Sequence, residues 1–220
     1  MFAWAIEDEV LEGLDNPASK VTYLHGKAGG FHSWSRDEVE QFEKHHSIGS
    51  KARLAMTLLL YTGQRRSDVV QFGRQHVREG WLRFTQQKGR NRKPVSLQLP
   101  VLPALQSIID ATPSDGLTFL MTQQGRPFTA NGFGGWFRER CDEAGLPHCS
   151  AHGLRKAGAV IAAENGATAH QLMSVFGWVT LKQAEHDTRA AEQKRLARDA
   201  MPLLMQNGTK TESDPPTGEK

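Results

Sequence analysis

The segment from Ala151 to Gly158 places an imidazole and a guanidinium three residues apart, at His152 and Arg155, near the predicted start of a helix. Side chains at positions i and i+3 share one face of a helix, so a single bound group would contact both. A guanidinium forks onto the oxygens of a phosphate or carboxylate, and a histidine exchanges a proton near neutral pH. The pair is compatible with anion chemistry, but His and Arg are also ordinary residues of an exposed helix face.

Three further residues have side chains suited to binding an anion, and each also has an ordinary structural interpretation. Arg65 lies in the tight connection between an apolar helix and the next predicted helix, where an arginine either caps backbone carbonyls or binds an anion. Lys88 lies at the tip of a predicted basic hairpin with no neighbouring acid, either as a solvated turn residue or within reach of a ligand. Trp178 follows a predicted helix end, either as a core residue or as a donor through its indole N–H.

Capping residues and apolar periodicity predict a mainly α-helical chain with one small antiparallel β-hairpin. The predicted N-caps are Ser35, Ser50, Ser67, Thr129, Ser150 and Thr168. The helix after Ser50 is apolar nearly all round and is predicted to be central and buried, and the last helix is predicted over Leu181–Met205. Residues 81–85 and 95–99 predict two strands joined by the polar turn 88–92.

The composition indicates a soluble intracellular protein. The chain of 220 residues carries a net charge of +3 and is long enough for one domain with a buried core. It has no apolar run of membrane-spanning length, and its apolar first six residues run directly into three acidic ones, unlike a signal peptide. The two cysteines, Cys141 and Cys149, are expected to be free thiols rather than a disulfide or a metal site.

Positive charge is concentrated in one part of the chain. Between Lys51 and Ile109 there are eleven basic residues and two acidic ones, which gives this segment a charge of +9 and leaves the remainder net acidic. A basic block inside a folded domain favours a polyanionic partner, most commonly nucleic acid. A basic face exposed only to solvent is the alternative.

The candidate residues follow one another in a recognisable order. The motif T-G-x-R-x-S-D begins at Thr62, a hairpin lysine and H-x-x-R follow, and a Gly-Trp pair comes about twenty residues later. Together these motifs resemble the tyrosine recombinase (phage integrase) family over roughly residues 35–205. The resemblance implies a mostly helical catalytic domain with one small sheet, duplex DNA as the partner, and no cofactor or metal.

The same resemblance implies a role for each candidate. Arg65 and Arg155 would bind the non-bridging oxygens of the scissile phosphate and stabilise charge in the transition state. Lys88 would protonate the departing 5′ oxygen, and His152 would assist proton transfer at the nucleophile. Trp178 would donate its indole N–H to the phosphate.

Asp68 resembles the acidic residue that supports this pocket from behind. The other cations expected to contact DNA are Arg66, Arg83, Arg90, Arg92, Lys93 and Lys156.

The sequence departs from the family at the nucleophile. The family's tyrosine lies nine residues after the His-or-Trp position, and counting from Trp178 gives Asp187, within A-E-H-D-T-R where A-E-x-Y-T-R is usual. The two tyrosines of the chain, Tyr23 and Tyr61, lie elsewhere. A carboxylate attacking phosphorus would give a readily hydrolysed acyl phosphate and would bring negative charge against the transition state. We therefore expect a chain that binds DNA but does not cleave and rejoin it.

Two other interpretations remain open. A type IB topoisomerase-like domain shares the pocket, although the short hairpin and the Gly-Trp spacing favour the integrase type. A non-catalytic DNA-binding or assembly module, whose pocket only docks phosphate, is favoured by Asp187. One nucleotide change converts a tyrosine codon into an aspartate codon, so natural decay, selection during cloning and deliberate inactivation would all produce this residue.

The chain is expected to comprise three parts. Residues 1–30 contain a predicted amphipathic helix over 1–15 and a linker, and they resemble only the tail of the family's N-terminal core-binding domain. Residues 31–206 form the catalytic domain, and 207–220 form a disordered polar tail. Without the core-binding clamp, affinity would rest on backbone phosphate contacts and fall steeply with salt. The apolar end Met201–Met205 is expected to dock on a neighbouring protomer when both are bound to DNA. The expected location is the bacterial cytoplasm, in association with DNA.

Overall fold

The structure is a computed structural model that describes residues 30–114 and 116–204 of the chain. The chain divides into two compact units, Met1–Gly30 and Phe31–Lys220. The predicted helix and linker before residue 30 and the predicted tail lie outside the described residues. All helices and strands of the described residues lie in the second unit.

Helices dominate the described residues, as predicted. The α-helices are α1 Arg36–His45, α2 Lys51–Thr62, α3 Arg66–Val69, α4 Pro103–Ala111, α5 Ala130–Glu143, α6 Ala151–Glu164, α7 Ala169–Phe176 and α8 Leu181–Ala200. The strands are β1 Val77–Arg78, β2 Trp81–Thr85 and β3 Ser96–Pro100, and 3-10 turns occupy Arg74–His76 and Met201–Leu204.

Five of the six predicted N-caps are confirmed. The hydroxyl of Ser35 accepts from the amide of Glu38 at 3.2 Å, and the Glu38 carboxylate accepts from the Ser35 amide at 2.7 Å, which completes a capping box on α1. The side chains of Ser50, Thr129, Ser150 and Thr168 cap their helices in the same way. These polar side chains satisfy amides that have no partner inside the helix, so each fixes where its helix begins.

The predicted cap at Ser67 is wrong. The N-cap of α3 is Arg65, no side chain caps it, and the helix has only four residues. Asp68 instead turns inward to accept from the backbone amide of Gln87, and the carbonyl of Phe72 accepts from the amide of Phe119. The Asp68 side chain and the Phe72 carbonyl therefore tie this segment to distant parts of the chain.

The three strands form one antiparallel sheet in the order β1-β2-β3. Leu82 pairs with Leu99 across β2 and β3, and both side chains are buried. The predicted hairpin is therefore confirmed, and β1 is an additional strand. The connection between β2 and β3 is exposed over residues 88–94 and carries Lys88 at the start of its turn.

The core is built around α2, whose side chains are buried on nearly every face as predicted. It packs against α4, α5 and α6. A second cluster joins the C-terminal half of α6 to α7 and α8 through Leu172, Phe176 and Ala184. The last helix ends at Ala200, before the predicted end, because Pro202 follows and has no amide hydrogen to continue the helix.

Two properties of the composition can be followed into the structure. Cys141 and Cys149 form no disulfide, as predicted, and both side chains are buried. No helix among residues 30–114 and 116–204 is long and apolar enough to cross a membrane.

Candidate active site

Arg65, His152 and Arg155 line one cavity of about 450 Å³. Arg65 follows the end of α2, whereas the other two residues lie in the first turns of α6. The remaining lining residues are Phe31, Gln64, Arg66, Ser67, Ala130, Gly134, Ser150 and Ala151. Arg65 lies 87 residues before His152 in the chain, yet these predicted site residues and Arg155 are brought together, so that two guanidinium groups and an imidazole line one space.

Arg155 is only 6% exposed and joins the C-terminal ends of two helices. Its guanidinium donates to the carbonyl of Gly63, just after α2, and to the carbonyl of Phe176, the last residue of α7, at 2.8 Å in the second case. Helix C-termini leave carbonyls without partners and carry partial negative charge, so a buried cation is favourable there. The guanidinium also lies 5.2 Å from the centre of the Phe176 ring.

Two buried glutamines complete this junction. Gln86 accepts from a guanidinium nitrogen of Arg65 at 3.1 Å and donates to Gln64 at 2.7 Å and to the Phe176 carbonyl at 3.0 Å. Gln64 donates to the carbonyl of Val175 at 2.8 Å. The network connects the arginine of the cavity to the base of the hairpin. Neither glutamine was predicted as a site residue, because nothing in the sequence indicates that these two amide side chains are buried.

The C-terminal end of α2 and the first turn of α6 each require a glycine, for different reasons. Gly63 has a φ of 61°, the left-handed conformation of a helix C-cap. A Cβ there would lie 2.5 Å from the ring of Phe176. Gly153 has an ordinary helical conformation, but a Cβ there would collide with the backbone carbonyl of His32. The segment before α1 therefore lies directly against the first turn of α6.

His152 is exposed, and its ring centre lies 4.6 Å from that of Phe31. Phe31 is 58% exposed and also lines the cavity. Phe31 was not predicted as a site residue, because it lies 121 residues before His152 in the chain. Its aromatic ring gives the imidazole an apolar neighbour on one side.

Trp178 does not line this cavity. Its ring stacks on that of Phe176, with centres 4.8 Å apart and planes 18° apart, and only 9% of the residue is exposed. Its centre lies 5.8 Å from the Arg155 guanidinium. Trp178 is therefore packed as a core residue, and it adjoins the cavity only by way of its contact with Arg155.

Lys88 also lies outside the cavity, exposed at the turn between β2 and β3. The predicted supporting residue Asp68 is 2% exposed and holds the base of this turn, since its Oδ1 accepts from the Gln87 amide at 2.7 Å. The backbone next to Lys88 in sequence is thus anchored to α3, while the lysine itself is exposed to solvent.

The remaining predicted residues lie on the surface or in α8. Arg83 pairs with Glu79 at 3.3 Å, and Arg66 donates to Asn131 at 3.3 Å. The predicted DNA contacts beyond these are Arg90, Arg92 and Lys93, which are exposed, and Lys156, which is half-buried. Residue 187 belongs to α8, and its side chain lies outside the described part of the structure.

Known proteins resemble this chain in sequence pattern and in fold. A model of the phage integrase family matches residues 35–194. No curated protein sequence matches the chain. A lambda integrase dimer bound to a COC′ core site has 19% identity and a TM-score of 0.69, with 84% of this chain and 68% of that chain covered.

Two further solved structures give similar agreement. XerA recombinase has 15% identity and a TM-score of 0.64, with 78% of this chain and 66% of that chain covered. The Tn1549 transposon integrase in complex with circular intermediate DNA has 14% identity and a TM-score of 0.69, with 90% of this chain and 74% of that chain covered. At these identities, the likeness establishes a shared fold.

Proposed function

The chain belongs to the phage integrase family of tyrosine recombinases, and from this premise we propose that it binds duplex DNA and holds one backbone phosphate in the cavity beside α6. The observation that carries the proposal is that Arg65, His152 and Arg155 line the same cavity. Two guanidinium groups there would neutralise the non-bridging oxygens and stabilise charge that develops during phosphoryl transfer.

Lys88 and Trp178 take part in different ways. Lys88, on the exposed turn, would reach the leaving 5′ oxygen when the hairpin lies against DNA, and an ammonium there would donate the proton. Trp178 would act from beneath, because it packs beside the Arg155 guanidinium and fixes its plane. Asp68 would support the lysine by anchoring Gln87.

Asp187 would prevent the cycle of cleavage and rejoining. The family's reaction needs a tyrosine hydroxyl to attack phosphorus and to leave again on rejoining, and a carboxylate would form a mixed anhydride that water destroys. As written, the chain would therefore act as a DNA-binding or assembly module with the phosphate pocket of a recombinase. The second candidate function, after that of a recombinase, is therefore a non-catalytic DNA-binding or assembly module, and Asp187 is the residue that favours it.

Binding of phosphate in the cavity is tested by gel shifts on duplex DNA. Arg65→Ala and His152→Ala are expected to weaken binding about tenfold each, since each removes a polar partner of the phosphate. Arg78→Ala, which removes an exposed cation of β1 outside the proposed contacts, serves as the matched control. Equal effects of all three variants would contradict a phosphate site in this cavity.

The proposed defect in cleavage is tested with a nicked suicide substrate. The unaltered chain should form no covalent DNA adduct, and Asp187→Tyr should form one that is resolved by denaturing electrophoresis. Asp187→Phe controls for the ring without the hydroxyl. An adduct from the unaltered chain would refute the assignment of Asp187.

Self-association on DNA would use the C-terminal end of the chain. Met201, Leu203 and Leu204 are 62%, 82% and 75% exposed, which is unusual for three apolar residues in one turn. We expect sedimentation of the protein on a two-site duplex to show two bound copies that associate, and Leu203→Asp with Leu204→Asp to abolish the association. Unchanged assembly would contradict this role. In this proposal, residues 1–30 are the tail of a core-binding domain plus a linker, and residues 31–206 form the catalytic domain.

A further inference from the structure

Four potential metal ligands from two distant segments of the chain converge beside the first turn of α6. His32 precedes α1, Glu38 lies in its first turn, and His148 and Cys149 precede the cap of α6. One ligand atom from each of the four residues lies within 4.8 Å of all the others. Their positions in the chain, six and about 110 residues apart, show no metal-binding spacing.

The two imidazoles are already directed at one carboxylate. Nε2 of His32 lies 2.8 Å from Oε2 of Glu38, and Nε2 of His148 lies 2.5 Å from Oε1. The two rings meet edge to face, with centres 4.8 Å apart. Oε2 also accepts from the Ser35 amide, which fixes the orientation of the carboxylate. Such outer hydrogen bonds are what hold metal ligands in place.

Burial gives the cluster an inner and an outer side. Cys149 is fully buried, and the Glu38 side chain is 16% exposed. The side chains of His32 and His148 are 42% and 52% exposed, so an ion would have a path from solvent. A soft sulfur inside, imidazoles outside and one carboxylate between them form a mixed set of ligands.

We propose that these four residues bind one Zn²⁺-class divalent cation in tetrahedral coordination. Imidazole nitrogen, thiolate sulfur and carboxylate oxygen are the ligands that Zn²⁺ selects, at roughly 2.0–2.3 Å. Around such an ion the ligand atoms lie about 3–4 Å apart. The ion would replace the two histidine–carboxylate hydrogen bonds, and Cys149 would release its proton to solvent as the sulfur–metal bond forms.

The consequence concerns the segment in front of α1. Trp34 donates its indole N–H to the carbonyl of Ser150 at 2.9 Å, and the His32 carbonyl lies against Gly153. Phe31, one residue before the ligand His32, contacts His152. A cation bound between His32 and Cys149 would therefore fasten residues 31–34 to the segment that carries His152. The site is a structural clamp and is independent of the proposed DNA chemistry.

A second group of possible ligands, His45, His46 and Glu143, is less suitable. It contains no sulfur, and Nε2 of His46 is bonded to the carbonyl of Arg140 at 2.9 Å. An experiment can distinguish the two groups, because only the proposed site contains a thiolate that gives a thiolate–metal signal.

The full chain is stripped with a chelator and titrated with Co²⁺, the spectroscopic substitute for zinc. We expect one ion per chain, strong visible absorption of tetrahedral cobalt, and a near-ultraviolet thiolate-to-cobalt charge-transfer band. Zn²⁺ should displace the cobalt and should increase amide hydrogen-exchange protection of residues 31–34. Absence of the charge-transfer band in the unaltered protein would overturn the proposal, and this measurement needs no variant to fold.

Variants identify the ligands. Cys149→Ser should abolish the charge-transfer band. His32→Asn or His148→Asn should each weaken binding by more than ~100-fold, which exceeds the loss of roughly 10- to 100-fold expected when an outer-sphere partner is removed. The controls are Cys141→Ser, the other buried thiol, and His170→Asn, an exposed histidine of α7. Binding that survives Cys149→Ser with an unchanged spectrum, or that responds equally to the controls, would refute the site.

Discussion

Arg155 both stabilises the fold and lines the cavity. It binds the carbonyl ends of α2 and α7, and the same side chain faces the space shared with Arg65 and His152. The residue that would hold a phosphate is therefore fixed in position before any ligand arrives. A preorganised guanidinium of this kind loses little conformational freedom on binding.

Replacing Arg155 should consequently lower stability as well as binding. Arg155→Met keeps most of the apolar side chain and removes both donors. The Gly63 carbonyl then loses this partner and the Phe176 carbonyl keeps only its bond from Gln86, so the free energy of unfolding should fall by about 3 kcal/mol. Arg65→Met, which removes one half-buried hydrogen bond, should cost less than about 1 kcal/mol. Urea denaturation measures both, and equal losses would contradict the structural role of Arg155.

Gly63 gives a second prediction at this scale. Gly63→Ala forces a Cβ onto the Phe176 ring at a φ of 61°, and should reduce the free energy of unfolding by about 2–4 kcal/mol. Gly135 in α5 is the matched control, because a Cβ there meets nothing within 4 Å. Gly135→Ala should raise stability by about 0.5–1 kcal/mol, since alanine favours a helix over glycine. Denaturant midpoints that shift in the same direction would contradict this.

Residue types and order were sufficient to predict Arg65, His152 and Arg155 as candidates, because a motif preserves the order of its residues in the chain. They were insufficient for Gln64 and Gln86. An amide side chain has no preferred chemistry in a sequence pattern, and its role here depends on two helix ends meeting in space.

At the scale of elements, helix starts were predicted well and one short helix was not. A cap is a local event between a side chain and an amide three residues away, so Ser35 or Ser150 can be recognised from sequence alone. The length of α3 depends on bonds to Gln87 and Phe119, which are distant in the chain. Local patterns do not contain that information.

The junction of α1 and α5 gives a prediction about pH. Burial lowers the pKa of His46 from its ordinary value of 6.5, and the hydrogen bond to the Arg140 carbonyl opposes this shift. The titratable and charged groups near the ring are His45, Glu143 and Arg140. The folded state therefore disfavours the protonated ring. This contribution to stability is present above pH 6.5 and is lost as the pH falls through the lower pKa of the folded state.

His46→Gln, which keeps a donor for the carbonyl, should make the fall in stability below pH 6.5 shallower. Thermal unfolding followed at successive pH values measures the slope. His170→Gln, at an exposed position of α7, should leave it unchanged. A slope that is the same for His46→Gln and the unaltered chain would show that His46 does not titrate with folding.

At the scale of the whole molecule, the hairpin turn holds the most exposed part of the basic segment. Arg90, Arg92 and Lys93, referred to below as the hairpin cations, are exposed within five residues of Lys88. The concentration of positive charge between residues 51 and 109 predicted a polyanionic partner. The structure adds that the hairpin cations are exposed at the turn beyond the sheet. In the proposed complex they would follow the DNA backbone.

The salt dependence of DNA binding tests this directly. Each phosphate neutralised by a protein cation contributes roughly 0.9 to the slope of log affinity against log salt, so replacing all three hairpin cations with Gln should reduce the slope by roughly 2 to 3. Fluorescence anisotropy at several salt concentrations measures it. Gln at Lys44, Arg126 and Arg138, which are exposed elsewhere, removes the same net charge and should change the slope by less than about 1. A contact surface requires the two triple variants to differ, because a general effect of net charge would lower both slopes equally.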